Sequence, residues 1–128
     1  MNISVGKHIY AALSAIDGLT VYPVIAAFDT AAPTTPFAVY QRTSASPEYT
    51  KSLWTGGIAH NYSLTLVDNV YDNTVELAQK AIDAILSMSY QQHDDMRFGA
   101  ITVNDLSEDF VDGLFIQTIN FTINTTRI

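Results

Sequence analysis

The sequence predicts an α+β domain: a mainly antiparallel β-sheet of about four to five strands, with two helices packed on one face. Three observations carry this. Two amphipathic stretches, 5–16 and 73–88, repeat apolar residues at helical spacing. Three runs, 37–44, 60–67 and 114–124, alternate apolar and polar residues as half-buried strands do. The connections between strands are of hairpin length, which favours antiparallel neighbours. A chain of 128 residues makes one domain, 1–128.

In the first helix Val5, Ile9, Leu13 and Ile16 share a face with Ala12. Asn2 or Ser4 is placed to cap its start, and Gly18 to end it in a left-handed turn. The run 19–25 is β-branched and aromatic, but Pro23 cannot donate to a ladder, so a short strand is expected near an edge or stopping at Pro23. Residues 28–36 hold Pro33, Pro36 and three threonines and read as a loop.

The strand 37–44 alternates Phe37, Val39 and Gln41 against Ala38, Tyr40 and Arg42. Pro47, Gly56 and Gly57 break the pattern over 44–57. The strand 60–67 sets Tyr62, Leu64 and Leu66 against Ser63 and Thr65. These two strands form a hairpin whose tip is expected at 47–57. In the second helix Leu77, Ala78, Ala81, Ile82 and Ile85 make the apolar stripe. Asn73 and Glu76 resemble a capping box, and Glu76 and Lys80 form an i,i+4 pair. A polar loop over 90–97, a strand over 98–103, an acidic connection over 105–113 and the long strand 114–124 complete an order α-β-β-β-α-β-β. On the last strand Phe115, Ile119, Phe121 and Ile123 face the core, and Thr118, Asn120, Thr122 and Asn124 make an almost uncharged outer face. Such a face suits packing against another chain, and chance composition accounts for it nearly as well.

Composition excludes several classes of function. The apolar fraction is ordinary at 48% but the charged fraction is 15%, well below the ~25% average, with Ser, Thr and Asn taking the place of charges. There is no cysteine, hence no disulfide, thiolate metal site or cysteine nucleophile. A net charge of −7 opposes non-specific binding to nucleic acid, and the six basic residues form no run. No stretch approaches the ~20 apolar residues of a membrane span, so no membrane partner is expected. Residues 1–16 lack a signal-peptide layout, which makes a cytoplasmic origin the expectation. Four Asn-x-Ser/Thr triplets, at Asn2, Asn61, Asn120 and Asn124, read as chance in so Asn- and Thr-rich a chain.

No catalytic, metal or cofactor constellation emerges. His8, His60 and His93 have no second His at a metal spacing. His93-Asp94-Asp95 reads either as a weak divalent-cation site or, more simply, as a solvated loop. The acidic residues Asp105, Glu108, Asp109 and Asp112 lack the ligand alternation of a calcium loop. A carboxylate pair of a hydrolase could sit among them, but a strand-connecting loop is the simpler account. Neither a nucleophile elbow nor a phosphate-binding glycine loop is present. Trp54, the single tryptophan, lies with Tyr49 and Leu53 in the expected tip. It reads equally as an interface anchor or as a side chain folded back on its own domain.

Thr20-Val-Tyr-Pro23, then Pro36-Phe-Ala-Val-Tyr-Gln-Arg42, then Ser46-Pro-Glu-Tyr-Thr50 resemble the core of the tail terminator (tail completion) proteins of siphophages and prophages. His60-Asn-Tyr-Ser-Leu-Thr-Leu-Val67, Asp68-Asn-Val-Tyr71, the helix from Thr74 and the closing strand from Phe115 follow in the same order, so the resemblance spans nearly the whole chain. The ending Gln117-Thr-Ile-Asn-Phe-Thr-Ile departs from it in being less charged. The resemblance implies a structural, non-enzymatic subunit of a hexameric ring, with no cofactor. The ring would cap the head-proximal end of the virion tail, having assembled in the host cytoplasm. Its partners would be further copies of the chain, the tail tube protein and the head completion protein, with DNA passing through without specific binding. Tyr49, Leu53, Trp54, Thr118, Asn120 and Thr122 are then the candidate subunit-interface residues. Alternatives are another head–tail connector or tail-tube component, or a small ligand-binding domain or enzyme using His60, His93, Asp94 and Asp95.

Overall fold

The computed structural model describes residues 1–24 and 34–128. The elements run α1 (Val5–Ser14), β1 (Thr20–Pro23), β2 (Phe37–Thr50), β3 (Leu53–Asp68), α2 (Tyr71–Leu86), β4 (Gln92–His93), β5 (Met96–Val111) and β6 (Leu114–Arg127). The expected loop over 28–36 lies outside the described residues except for its last three positions. The strands form one curled sheet in the order β1-β2-β3-β6-β5-β4, with both helices on one face. This is the expected α+β class with six strands instead of four to five. All described pairings are antiparallel except β1–β2, where Thr20–Pro23 runs parallel to residues 37–40 at the sheet margin. Pro23 does end its strand at an edge, as its missing N–H requires.

The core lies between the helices and the sheet face beneath them. Val5, Ile9 and Leu13 of α1 are fully buried, and Leu77, Ala81 and Ile85 of α2 nearly so. They meet Ala38, Tyr40, Tyr62, Leu64, Leu66, Ile119, Phe121 and Ile123. The two periodicities, 3.6 on the helices and 2 on the strands, thus converge on one apolar layer. Gly18, at φ +78, supplies the left-handed turn after α1. The caps differ from expectation. The Ser4 side chain does not cap α1; Asn2 Oδ1 instead accepts from the Ser4 N–H and hydroxyl. α2 begins two residues before the expected start, with Val70 as N-cap and no capping side chain. Asn73 donates its amide to Asp68 instead of closing a capping box with Glu76.

The larger corrections concern strand length. Residues 44–57 do not break the β2–β3 hairpin. The ladder continues to Thr50↔Leu53, absorbing irregularities between Arg42/Ser44 and between Pro47/Tyr49. The tip is the two-residue turn Lys51-Ser52, with φ +47 and +74. Two positive φ values match the primed turn whose twist suits a hairpin. Residues 105–113 are likewise no simple connection. Residues 105–111 continue β5, and Asp112-Gly113, at φ +52 and +80, turns into β6. The polar loop over 90–97 contains the short β4 and its pairing with Met96 and Arg97.

Two stretches of strand edge carry no partner among the described residues. β1 pairs with β2 only as far as Tyr40, leaving the outer edge of residues 41–50 open. β4 and the segment before it reach β5 only as far as Ile101, leaving residues 102–111 open.

Candidate subunit interface

The expected interface residues fall in two places. Tyr49, Leu53 and Trp54 lie on the far end of the β2–β3 hairpin. This end projects past β6, whose pairing with β3 stops at Gly57↔Thr126. It is a two-stranded arm, and its apolar side chains are unequally covered. Leu53 is 73% exposed and Tyr49 56%, whereas Trp54 is only partly exposed. The indole N–H of Trp54 donates to Gly57 O at 2.9 Å, and the guanidinium of Arg127 lies 5.1 Å from its ring centroid. Trp54 therefore folds back onto its own chain, against strand backbone and the end of β6 instead of the core. Leu53 and Tyr49 remain outward.

Thr118, Asn120 and Thr122 lie on the sheet face away from the helices, half-buried among their neighbours. Register places them beside Asn61, Ser63 and Thr65 of β3 and Thr102, Asp105 and Ser107 of β5. Several side chains on this face bond to one another. Asn104 Nδ2 donates to Thr122 Oγ1 at 2.8 Å, Thr122 Oγ1 donates to Asn61 Oδ1 at 2.6 Å, and Asn61 Nδ2 donates to Ser44 Oγ at 2.9 Å. This polar ladder crosses all four long strands. Beside it Asn120 Nδ2 donates to Asp105 Oδ1 at 2.6 Å. Over residues 41–46, 61–65, 102–109 and 118–124, side chains on this face include no Lys or Arg; Arg42 points the other way, toward Tyr62 and Ile3 O. Sequence alternation identified the face; the ladder depended on strand register, which it could not supply.

The histidines and carboxylates of the enzyme alternative are not brought together. His60 is completely buried on the helix side of β3, its Nε2 3.3 Å from Thr125 Oγ1. Burial, with the Arg42 charge adding to it, pushes its pKa down to about 4. His93 instead stacks on His8 of α1, ring centroids 3.8 Å apart, with its Nε2 3.0 Å from Gln91 Oε1. Burial and His93 lower the pKa of His8. An open groove of about 300 Å³ passes this pair and is lined by neither His60, Asp94 nor Asp95. Among the described residues no group of three His, Cys, Asp or Glu side chains could hold a metal ion, and no helix is long and apolar enough to cross a membrane.

Sequence reasoning missed a second exposed apolar region, at the far end of β5. Leu106 and Phe110 are 60% and 58% exposed. Phe110 and Tyr71 pack on Phe115, at 4.6 and 5.4 Å between centroids, and Glu108 accepts from both the Tyr71 hydroxyl and the Gln117 amide at 2.7 Å. Those two hydrogen bonds, Gln117's first, hold the Glu108 carboxyl below its usual pKa. The Asp112-Gly113 dipeptide was the available signal that 105–113 is strand and turn.

No family model and no curated protein matches the chain. Among solved structures the chain is similar in fold to a chain described as part of the virion of a native gene transfer agent particle. The TM-score is 0.71 at 13% sequence identity, covering 98% of this chain and 99% of that one.

Proposed function

We propose that this chain is a structural, non-enzymatic subunit of a phage-type virion tail: a tail terminator. In this reading copies assemble into a hexameric ring that caps the head-proximal end of the tail tube, ends its polymerisation and joins tail to head. The tail tube protein and the head completion protein lie on either side.

The observation that carries the reading is the sheet face away from the helices. A channel for DNA must neither grip phosphate nor change shape as the duplex passes. Phosphate binding rests on Lys and Arg, and the central part of this face has none. Ser44, Asn61, Thr122 and Asn104 are tied to one another across its four strands, so fewer donors are left for phosphate oxygens. With Asp105 on the same face and a net charge of −7, the surface repels a polyanion at long range. We assign this face to the lumen, which takes Thr118, Asn120 and Thr122 out of the subunit contact that the sequence suggested for them. The fold shared with a gene-transfer-agent virion chain over nearly the full length supports the reading.

The test is solution mass by size-exclusion chromatography with light scattering over a concentration series, followed by electron microscopy. A discrete six-fold species with a central hole is the expected result. A monomer at every concentration, including after addition of a tail tube end, would overturn the reading.

A further inference from the structure

Among the described residues the sheet presents two open edges of equal length, residues 41–50 of β2 and 102–111 of β5, on opposite margins. An open edge is a row of unpaired N–H and C=O groups, and natural proteins blunt or cover it. The β2 edge is partly blunted by Pro47 and by its irregularities after Arg42 and Pro47. The β5 stretch has no proline and a single register shift, between Val103 and Asp105.

Strand direction decides how these edges can meet. β2, β3, β6 and β5 alternate in sense, so β2 and β5 run opposite ways. Copies related by rotation about an axis roughly along the strands would bring β2 of one beside β5 of the next in antiparallel sense. The edges also lie at diagonally opposed corners: the open part of β2 runs toward the arm, that of β5 toward the Asp112-Gly113 turn. Joining them staggers neighbours along the strands. A closed ring absorbs such a stagger by inclining its strands to the ring axis, the same relation that links tilt and shear when a sheet closes.

We propose that the partner of each edge is a second copy of this chain: residues 41–50 of one copy add as a strand to residues 102–111 of the next. The inference rests on the ring reading for the choice of rotation and adds the surface that builds the ring. Chemistry on the two edges is complementary. The β2 stretch and its tip bear two cations, Arg42 and Lys51, against one acid, Glu48; the β5 edge bears Asp105, Glu108 and Asp109 and no cation. Exposed apolar side chains occur near both, Tyr49 on β2 with Leu53 beside it on β3 of the same arm, and Leu106 and Phe110 on β5. Main-chain hydrogen bonds would supply affinity, and these side chains the register.

The absence of cysteine makes the test clean. Ser44→Cys and Ser46→Cys in β2, and Asp105→Cys and Ser107→Cys in β5, are prepared as single variants, mixed in pairs and mildly oxidised. A disulfide needs Cβ atoms within about 4.5 Å. The expected result is a cross-linked dimer in at least one β2/β5 mixture, at least tenfold above either variant alone, and a ladder ending at the ring number for the matching double variant. Rings seen by light scattering without any β2/β5 cross-link would overturn edge pairing while leaving the ring reading intact. Absence of any oligomer would overturn both.

Discussion

The guanidinium of Arg127, the last residue of β6, lies over the indole of Trp54, 5.1 Å from its ring centroid. The end of β6 is thereby fastened to the arm beyond the last β3–β6 pair. A partly exposed cation–π contact of this kind stabilises by about 0.5–1 kcal/mol. Arg127→Ala should shift the emission of the protein's single tryptophan to longer wavelength and speed hydrogen exchange at 53–57. Global stability should fall by no more than about 1 kcal/mol. Unchanged emission would mean that the contact does not hold the arm.

The Leu53 side chain is 73% exposed and is no part of the core. Leu53→Glu should leave the melting midpoint nearly unchanged, within the ±0.5 kcal/mol of ordinary surface substitutions, while abolishing rings in light scattering. Rings that persist in the variant would remove the arm tip from the interface.

His60 couples stability to pH. Its pKa is near the ordinary 6.5 when the chain is unfolded and about 4 when folded. Between those values the unfolded state binds the proton and the native state does not, so stability falls as pH drops from 6.5 toward 4. The whole effect is at most about 3.5 kcal/mol, from 1.36 kcal/mol per pKa unit. Denaturant midpoints from pH 7 to pH 4.5 should show the loss, and His60→Leu should flatten the curve in that window. An equally steep variant would assign the titration to another group.

The polar ladder across the sheet should be cooperative. Asn61→Ala removes the group that bridges Ser44 and Thr122, and an intramolecular hydrogen bond contributes about 0.5–1.5 kcal/mol net. A loss of about 1–2 kcal/mol is expected. Asn61→Ala combined with Thr122→Val should destabilise less than the sum of the two singly, because each change removes the same bond. Strict additivity in that double-mutant cycle would mean the bond contributes nothing.

How far the chain could be read from its sequence varied by element. Helix α1 was legible to within two residues because Val5, Ile9 and Leu13 each reach the core at helical spacing. β3 and β6 were legible over the parts that cover the core, where Leu64, Leu66, Ile119, Phe121 and Ile123 alternate with polar neighbours. The arm and the outer half of β5 were read as breaks or connections. Residues 44–50 and 104–111 are exposed on both faces apart from a half-buried Pro47, so selection for burial left almost no alternation there. Tyr49, Leu53 and Trp54 lie together at the end of the hairpin, where the sequence placed them, but their division into an anchored tryptophan and two outward side chains depends on where Arg127 and Gly57 lie.

The sequence by itself determined the class of the fold, the two core-facing helix stripes, the uncharged outer face of β6 and the absence of cysteine chemistry. These are properties of residue type and local spacing, and periodicity alone expresses them. Only the tertiary structure decided strand length, the side-by-side order of β3, β6 and β5, the ladder from Ser44 to Asn104 and the two open edges. Each of those depends on register between segments as far apart as Asn61 and Thr122. The buried alternation and the turns that join neighbouring strands set that register, but the contacts it creates join residues distant in sequence, which local periodicity does not reveal.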